Sequence, residues 1–203
     1  MAETVWRSED VAPDDAAWVM SPEGRAVLDE LLARGPDADP LATASWLRDR
    51  GLSGARAATA QGVAAASRRA RDAGHPASSW WTPAAAEQGS HPAVAAWRAR
   101  RFRDAPTVDL TAGCGGDALA LVGESRAVVA LERDATRVPF LRQNLPTAGM
   151  VARADARRPP LRPDRWWAWA DPARRSAGRR LRGLGSLAPS VPELVGGAWA
   201  GIG

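Results

Sequence analysis

Lysine is absent from this chain: all 27 basic residues are arginine. Set beside the alanine richness and judged against average residue usage, that absence points to biased codon composition rather than to a function. Cysteine occurs once, at Cys114, so no internal disulfide can form and a reducing compartment is expected. The only two histidines, His75 and His91, each precede a proline in the N-terminal half. Neither neighbours Cys114 in sequence, which argues against a Cys-His nucleophile, and no ligand spacing suggests a metal site. No run of roughly eighteen apolar residues occurs, and the first residues carry no basic n-region. A membrane span and a secretory signal are therefore not indicated, and a cytoplasmic location is expected.

What is present is 203 residues, enough for one ordinary domain plus an appendage. Charge is distributed unevenly. Residues 1–50 hold 5 arginines against 11 acids, residues 51–150 hold 12 against 8, and residues 151–203 hold 10 against 4. The rising positive charge is compatible with a nucleic-acid partner through phosphate contacts, and equally with a solvated arginine face.

The first hundred residues read as helical. Ser21-Pro22-Glu23 is a cap with proline at the first helical position, followed by Val27, Leu28, Leu31 and Leu32 at helical spacing up to Gly35-Pro36. Asp39-Pro40 opens a second helix ending at Gly51, and Ser53 caps a long alanine-rich one running to about Gly74, whose shallow apolar face requires close packing. Thr82-Pro83 starts another helix, and Pro92 to Phe102 a further one rich in arginine. Trp80 and Trp81 between these segments are expected to be packing anchors rather than the walls of a ligand pocket.

From residue 106 the period changes. Strands are expected at Thr107–Thr111, Ala127–Leu131, Gly149–Arg153 and Arg165–Ala170, with helices at Gly116–Val122 and Thr136–Asn144. Alternating strands and helices predict an α/β fold with a doubly wound, Rossmann-like parallel sheet, preceded by an α-helical N-terminal domain. The expected division is 1–104 and 105–203. After the fourth strand a basic loop from Arg174 to Arg182 and a weak helix from Ser186 to Val195 are expected, so the sheet reads as truncated there. Its unpaired edge predicts poor solubility or a homodimer.

The chemistry concentrates in Asp109-Leu110-Thr111-Ala112-Gly113-Cys114-Gly115-Gly116-Asp117. A strand-to-helix turn whose backbone must pass close to a ligand needs residues without a Cβ, which Gly113, Gly115 and Gly116 supply. Acids then fall at the ends of successive strands: Glu132, Asp155 and Asp171. In an open α/β sheet ligands bind at those ends, where one carboxylate can accept both hydroxyls of a ribose and another an adenine amino group. Each acid taken singly reads as a cap or a surface charge, but the ordered set reads as a cofactor site. Cys114, small enough for a tight turn, is expected to pack. Core packing is also expected of Trp166, Trp167 and Trp169, the last two sharing one strand face.

Over roughly residues 105–180 the sequence resembles the class I S-adenosylmethionine-dependent methyltransferases. The resemblance implies that Asp109, Ala112, Gly113, Gly115, Gly116 and Asp117 form the first cofactor motif, that Glu132 binds the ribose, and that Asp155 lies beside the adenine. It places Asp171-Pro172-Ala173-Arg174 at the family's fourth motif and makes Asp171, Pro172 and Arg174 the catalytic candidates, although Ala173 and Arg174 stand where amino-group methyltransferases have a second proline and an aromatic. More narrowly, the helical part, Trp81-Thr82-Pro83 to Glu87-Gln88, and Asp171 to Arg175 resemble bacterial, largely actinobacterial, methyltransferase-like proteins in which a THUMP-like domain follows the catalytic one. That implies an RNA substrate, with tRNA as a candidate, and a C-terminally incomplete chain. Two other readings stay open: a non-catalytic cofactor- or RNA-binding fragment, and an NAD-dependent oxidoreductase. The second is weakened because Ala118 breaks the Gly-x-Gly-x-x-Gly fingerprint.

Overall fold

The computed structural model describes residues 11–35, 38–145, 149–172, 175–176, 179–180 and 189–195. Six helices come first: α1 (Pro13–Val19), α2 (Pro22–Ala33), α3 (Pro40–Asp49), α4 (Gly54–Asp72), α5 (Pro83–Gln88) and α6 (Pro92–Ala99). Four of the six carry the caps read from sequence, and a fifth has a cap that was not read. Ser21, Asp39, Ser53 and Thr82 each accept a hydrogen bond from a first-turn backbone N–H, and His91 does the same through Nδ1 for α6. The expected helix from Pro92 to Phe102 instead tightens into a 3₁₀ turn over Arg100–Phe102.

The alanine face of α4 buries Ala60, Val63, Ala64, Ser67 and Ala70 against α1, α2 and α5. Small side chains allow that close approach. Gly24 of α2 shows how tight the corner is, since a Cβ there would lie 2.1 Å from the Trp18 carbonyl oxygen.

The α/β part follows as β1 (Pro106–Asp109), α7 (Gly116–Glu124), β2 (Ala127–Glu132), α8 (Val138–Asn144), β3 (Met150–Arg153) and β4 (Trp167–Trp169). The four strands pair in parallel in the order β3-β2-β1-β4. The chain winds outward from β1 to β3, then crosses to the far side of β1 for β4. The strand ends of β1 and β4 therefore flank the topological switch point, where such sheets open a crevice for ligands.

Several boundaries differ from expectation. The first strand stops at Asp109 because that residue already turns, its carboxylate accepting from Thr111 N. The fourth strand is only three residues long, its expected start being taken by a 3₁₀ turn over Pro163–Arg165. Where a basic loop was expected after Asp171, β5 (Arg175–Ser176) and β6 (Arg179–Arg180) pair antiparallel. The final helix, α9 (Val191–Val195), is shorter than expected. Trp167 is 62 % exposed rather than packed in the core, whereas Trp166 packs against Val108 and Leu131's cluster and Trp169 against Phe102.

One core cluster runs across the expected 104/105 division. It joins Leu28, Val63, Trp80, Trp81 and Ala85 of the helical part to Cys114 and Phe140 of the α/β part. Asn144, at the end of α8, links the same regions by hydrogen bonds. Its Oδ1 accepts from Trp80 N at 2.8 Å, and its Nδ2 donates to the carbonyls of Trp80 (2.9 Å) and Cys114 (2.8 Å). Trp80 and Trp81 are thus anchors, as expected, 5 % and 2 % exposed. No described helix is long and apolar enough to cross a membrane.

Candidate active site at the switch point

The turn leaving β1 is held from three sides. Asp109 is buried, and Ala112 N donates to Leu131 O at 2.9 Å, laying the turn across the end of β2. Glu132 completes the hold: its Oε2 accepts from Gly113 N at 2.8 Å and its Oε1 from Asp134 N at 2.7 Å. Each carboxylate oxygen keeps a further lone pair for an incoming donor.

The three glycines serve three different ends. Gly113 has φ +58° and a Cβ there would meet nothing within 4 Å, so this is where the turn lies open. Gly115, at φ +102°, sets the left-handed entry to α7. Gly116 is a packing requirement, since a Cβ would lie 3.3 Å from Trp81 Cη2.

Beyond the turn, four polar side chains in or beside three elements converge. Asp171, following β4, donates its backbone N–H to Thr111 Oγ1 at 2.8 Å, which fixes the end of β4 beside the turn. Its carboxylate lies 3.6 Å from Arg98 of α6, and the same guanidinium nitrogen lies 3.6 Å from Asp117 Oδ1 on α7. Ser90, just before α6, donates to Asp117 Oδ2 at 3.1 Å and accepts from Arg98 at 2.9 Å. The Arg98 guanidinium also lies over the Trp169 ring. Asp117 Oδ1 is buried and closes no hydrogen bond of normal geometry; the indole N–H of Trp169 is near enough to favour its charge but is equally unsatisfied. Beside Ser90 lies a cavity of about 150 Å³ lined by Arg69, His75, Trp81 and His91.

The electrostatics of the acids divide them. Burial pushes the Asp109 carboxyl well above the ordinary range, with the Thr111 N–H opposing and Asp117, Glu132 and Asp171 adding to the rise. Burial also raises Asp117, against the hydrogen bond from Ser90 and the charge of Arg98, and raises Glu132, against the N–H groups of Asp134 and Gly113. Asp155 behaves oppositely. Hydrogen bonds from the Arg157 guanidinium, at 3.0 Å from Nε and 2.5 Å from its terminal nitrogen, hold its carboxyl low, and Arg133 adds to this.

Of the residues expected from sequence to form the site, Asp109, Ala112, Gly113, Gly115, Gly116, Asp117, Glu132 and Asp171 lie on or beside the turn at this switch point. Pro172 follows as a buried residue, and Arg174 lies outside the described residues. Asp155 stands at the end of β3, engaged by Arg157. Cys114 is 2 % exposed with its thiol pushed up to about 11 by burial, the state of a packed and unreactive sulfur. Ser90, Arg98, Thr111 and Asn144 were not singled out from sequence. Arg98 and Ser90 reach the crevice only through the tertiary placement of α6, for which no local motif exists.

Among the described residues, no cluster of three or more His, Cys, Asp or Glu is placed to hold a metal ion. No family model and no curated protein matches the sequence. Among solved structures, a protein from Porphyromonas gingivalis W83 described as a "putative methyltransferase" superposes with a TM-score of 0.56 at 20% identity. The match covers 90% of this chain and 45% of that one, so this chain spans less than half of its length. An rRNA methylase from Streptococcus thermophilus matches over 33% of this chain and 43% of its own, at 22% identity and a TM-score of 0.29. At such identities the first likeness establishes the fold alone: this chain shares the Rossmann-like architecture of that solved structure.

Proposed function

We propose that the protein is an S-adenosylmethionine-dependent methyltransferase acting on RNA. The observation that carries the reading is the conjunction, at one switch point, of an open glycine turn, an acid closing β2 and an acid following β4. The residues present fit the cofactor. Gly113 leaves open space over the turn, and the buried Asp117 Oδ1 closes no hydrogen bond of normal geometry. When bound, the cofactor supplies a methyl group on a sulfonium, an electrophile that needs alignment with its nucleophile rather than a strong acid.

This chain's own groups divide the remaining work. Glu132 holds the ribose hydroxyls with its free lone pairs, and Asp155 accepts from the adenine amino group. Asp171, its backbone fixed by Thr111 and its carboxylate steadied by Arg98, accepts a hydrogen bond from a substrate amine and turns the nitrogen lone pair toward the methyl. Pro172 follows Asp171 at that strand end, and Arg174 is the remaining catalytic candidate of the same motif. The positive charge of residues 151–203 and the exposed Trp97, with the Arg101 guanidinium over its ring, suit phosphates and unstacked bases of RNA.

Calorimetric titration with S-adenosylhomocysteine tests the cofactor. Binding is expected in the wild type, with a loss of at least about tenfold in Glu132→Ala, the cost of a charge-assisted hydrogen-bond pair. Stabilisation by NAD in place of S-adenosylhomocysteine in a thermal shift would overturn the reading in favour of an oxidoreductase. Salt-sensitive RNA binding without transfer of label from methyl-labelled cofactor would make the chain a non-catalytic binder.

A further inference from the structure

The cluster of Ser90, Arg98, Asp117 and Asp171 has a charge pattern that the methyl-transfer chemistry does not by itself require. It holds two carboxylates and one guanidinium, gathered where the glycine turn enters α7. Arg98 approaches both acids at 3.6 Å, too far for a hydrogen bond, and among the described residues closes only one, to Ser90 Oγ. A guanidinium carries five N–H donors, so most of its fork is uncommitted. Asp117 is satisfied on one oxygen only, Oδ2 by Ser90, while the buried Oδ1 closes no hydrogen bond of normal geometry and has near it only the Trp169 indole N–H and the Arg98 guanidinium at 3.6 Å. A cation with spare donors and an anion with a spare acceptor, 3.6 Å apart, are the inverse of an α-amino acid zwitterion.

We infer that Ser90, Arg98 and Asp117 form the subsite for the amino-acid end of the cofactor, Arg98 taking the α-carboxylate and Asp117 the α-ammonium. The inference rests on the methyltransferase reading and extends it, because it assigns part of the cofactor site to the helical N-terminal part. The charge count agrees over the whole ligand. S-adenosylmethionine carries two positive centres, sulfonium and ammonium, and one negative, the carboxylate; the cluster carries two negative and one positive. Asp171, the acid not used by the ammonium, is left for the methyl-transfer side of the ligand. A planar fork matched to a carboxylate also explains why Ser90 and Trp169 brace Arg98 on two sides.

The test compares two ligands that differ only at that end. S-adenosylhomocysteine and 5′-methylthioadenosine are both thioethers of adenosine without a sulfonium charge, but only the first has the zwitterionic amino-acid tail. Calorimetry on the full chain should show the wild type preferring S-adenosylhomocysteine. In Arg98→Met that ligand should lose about tenfold to a hundredfold, with 5′-methylthioadenosine changed by less than about twofold, and Arg98→Lys should recover part of the loss. Ser90→Ala, which leaves the core face of α6 untouched, should show the same selectivity at smaller amplitude and stands in if Arg98→Met fails to fold. Equal weakening of both ligands, or no weakening of either, overturns the assignment and leaves the cofactor reading intact; an Arg98→Met protein that instead loses only RNA affinity assigns the guanidinium to a phosphate. A wild type that binds neither ligand overturns the cofactor reading, and this inference with it.

Discussion

At the scale of single residues, the acids of the crevice differ in how much they cost the fold. Asp109 ends β1 in full burial, with its carboxyl raised well above the ordinary range. An acid raised on folding binds its proton more tightly in the native state, so stability falls as pH rises from the unfolded carboxylate range through the higher folded value. Asp109→Asn keeps the acceptor for Thr111 N and removes the charge. It should raise stability at pH 8 by about 1 kcal/mol, with little gain near pH 4, as melting temperatures across that range would show. Its position was legible because a carboxylate beside a glycine turn is a local pattern. Arg98 had no such pattern: one arginine among four between residues 98 and 103, it is distinguished only by what α6 brings it to.

Among the elements, caps explain the reach of sequence reading. Helices opened by Ser21, Asp39, Ser53 and Thr82 announce themselves because a side-chain acceptor precedes a proline or an apolar run. The helix α1 follows Ala12, which offers no side-chain acceptor, and its remaining start signals, Pro13 at the first position and Asp14 and Asp15 in the first turn, were not singled out from sequence. It is held instead by tertiary contact, Trp18 and Val19 being buried and its end packed on Gly24. Gly24→Ala should therefore be among the most damaging substitutions in the helical part. Its Cβ would meet backbone, which cannot rotate away, and a loss of about 3 kcal/mol or more in denaturant unfolding is expected. The short β4 was over-extended by sequence because three tryptophans within four residues read as a buried strand, whereas Trp167 faces outward beside Phe102.

Across the whole molecule, the strand order and the helical segment are legible only in outline. Alternation of strands and helices specified a parallel sheet, and the acids expected at the ends of successive strands stand there. What no local pattern carried is the joint between the two parts, which depends on Asn144 meeting Trp80 across 64 positions of chain. Asn144→Ala would strand the Trp80 N–H and two carbonyls in a dry interior, at a cost of about 3 kcal/mol, and Asn144→Asp should cost as much by placing a carboxylate against those carbonyls. Hydrogen exchange at Trp80 N in either variant checks both. The same joint orders events during synthesis. The helical segment leaves the ribosome first, with Trp80 and its cluster lacking Cys114, Phe140 and Asn144 until residues 114 to 144 have followed. Its apolar seam must wait, exposed, for the half of the chain that completes it, so a translational pause between residues 90 and 140 should favour capture by chaperones or aggregation over folding.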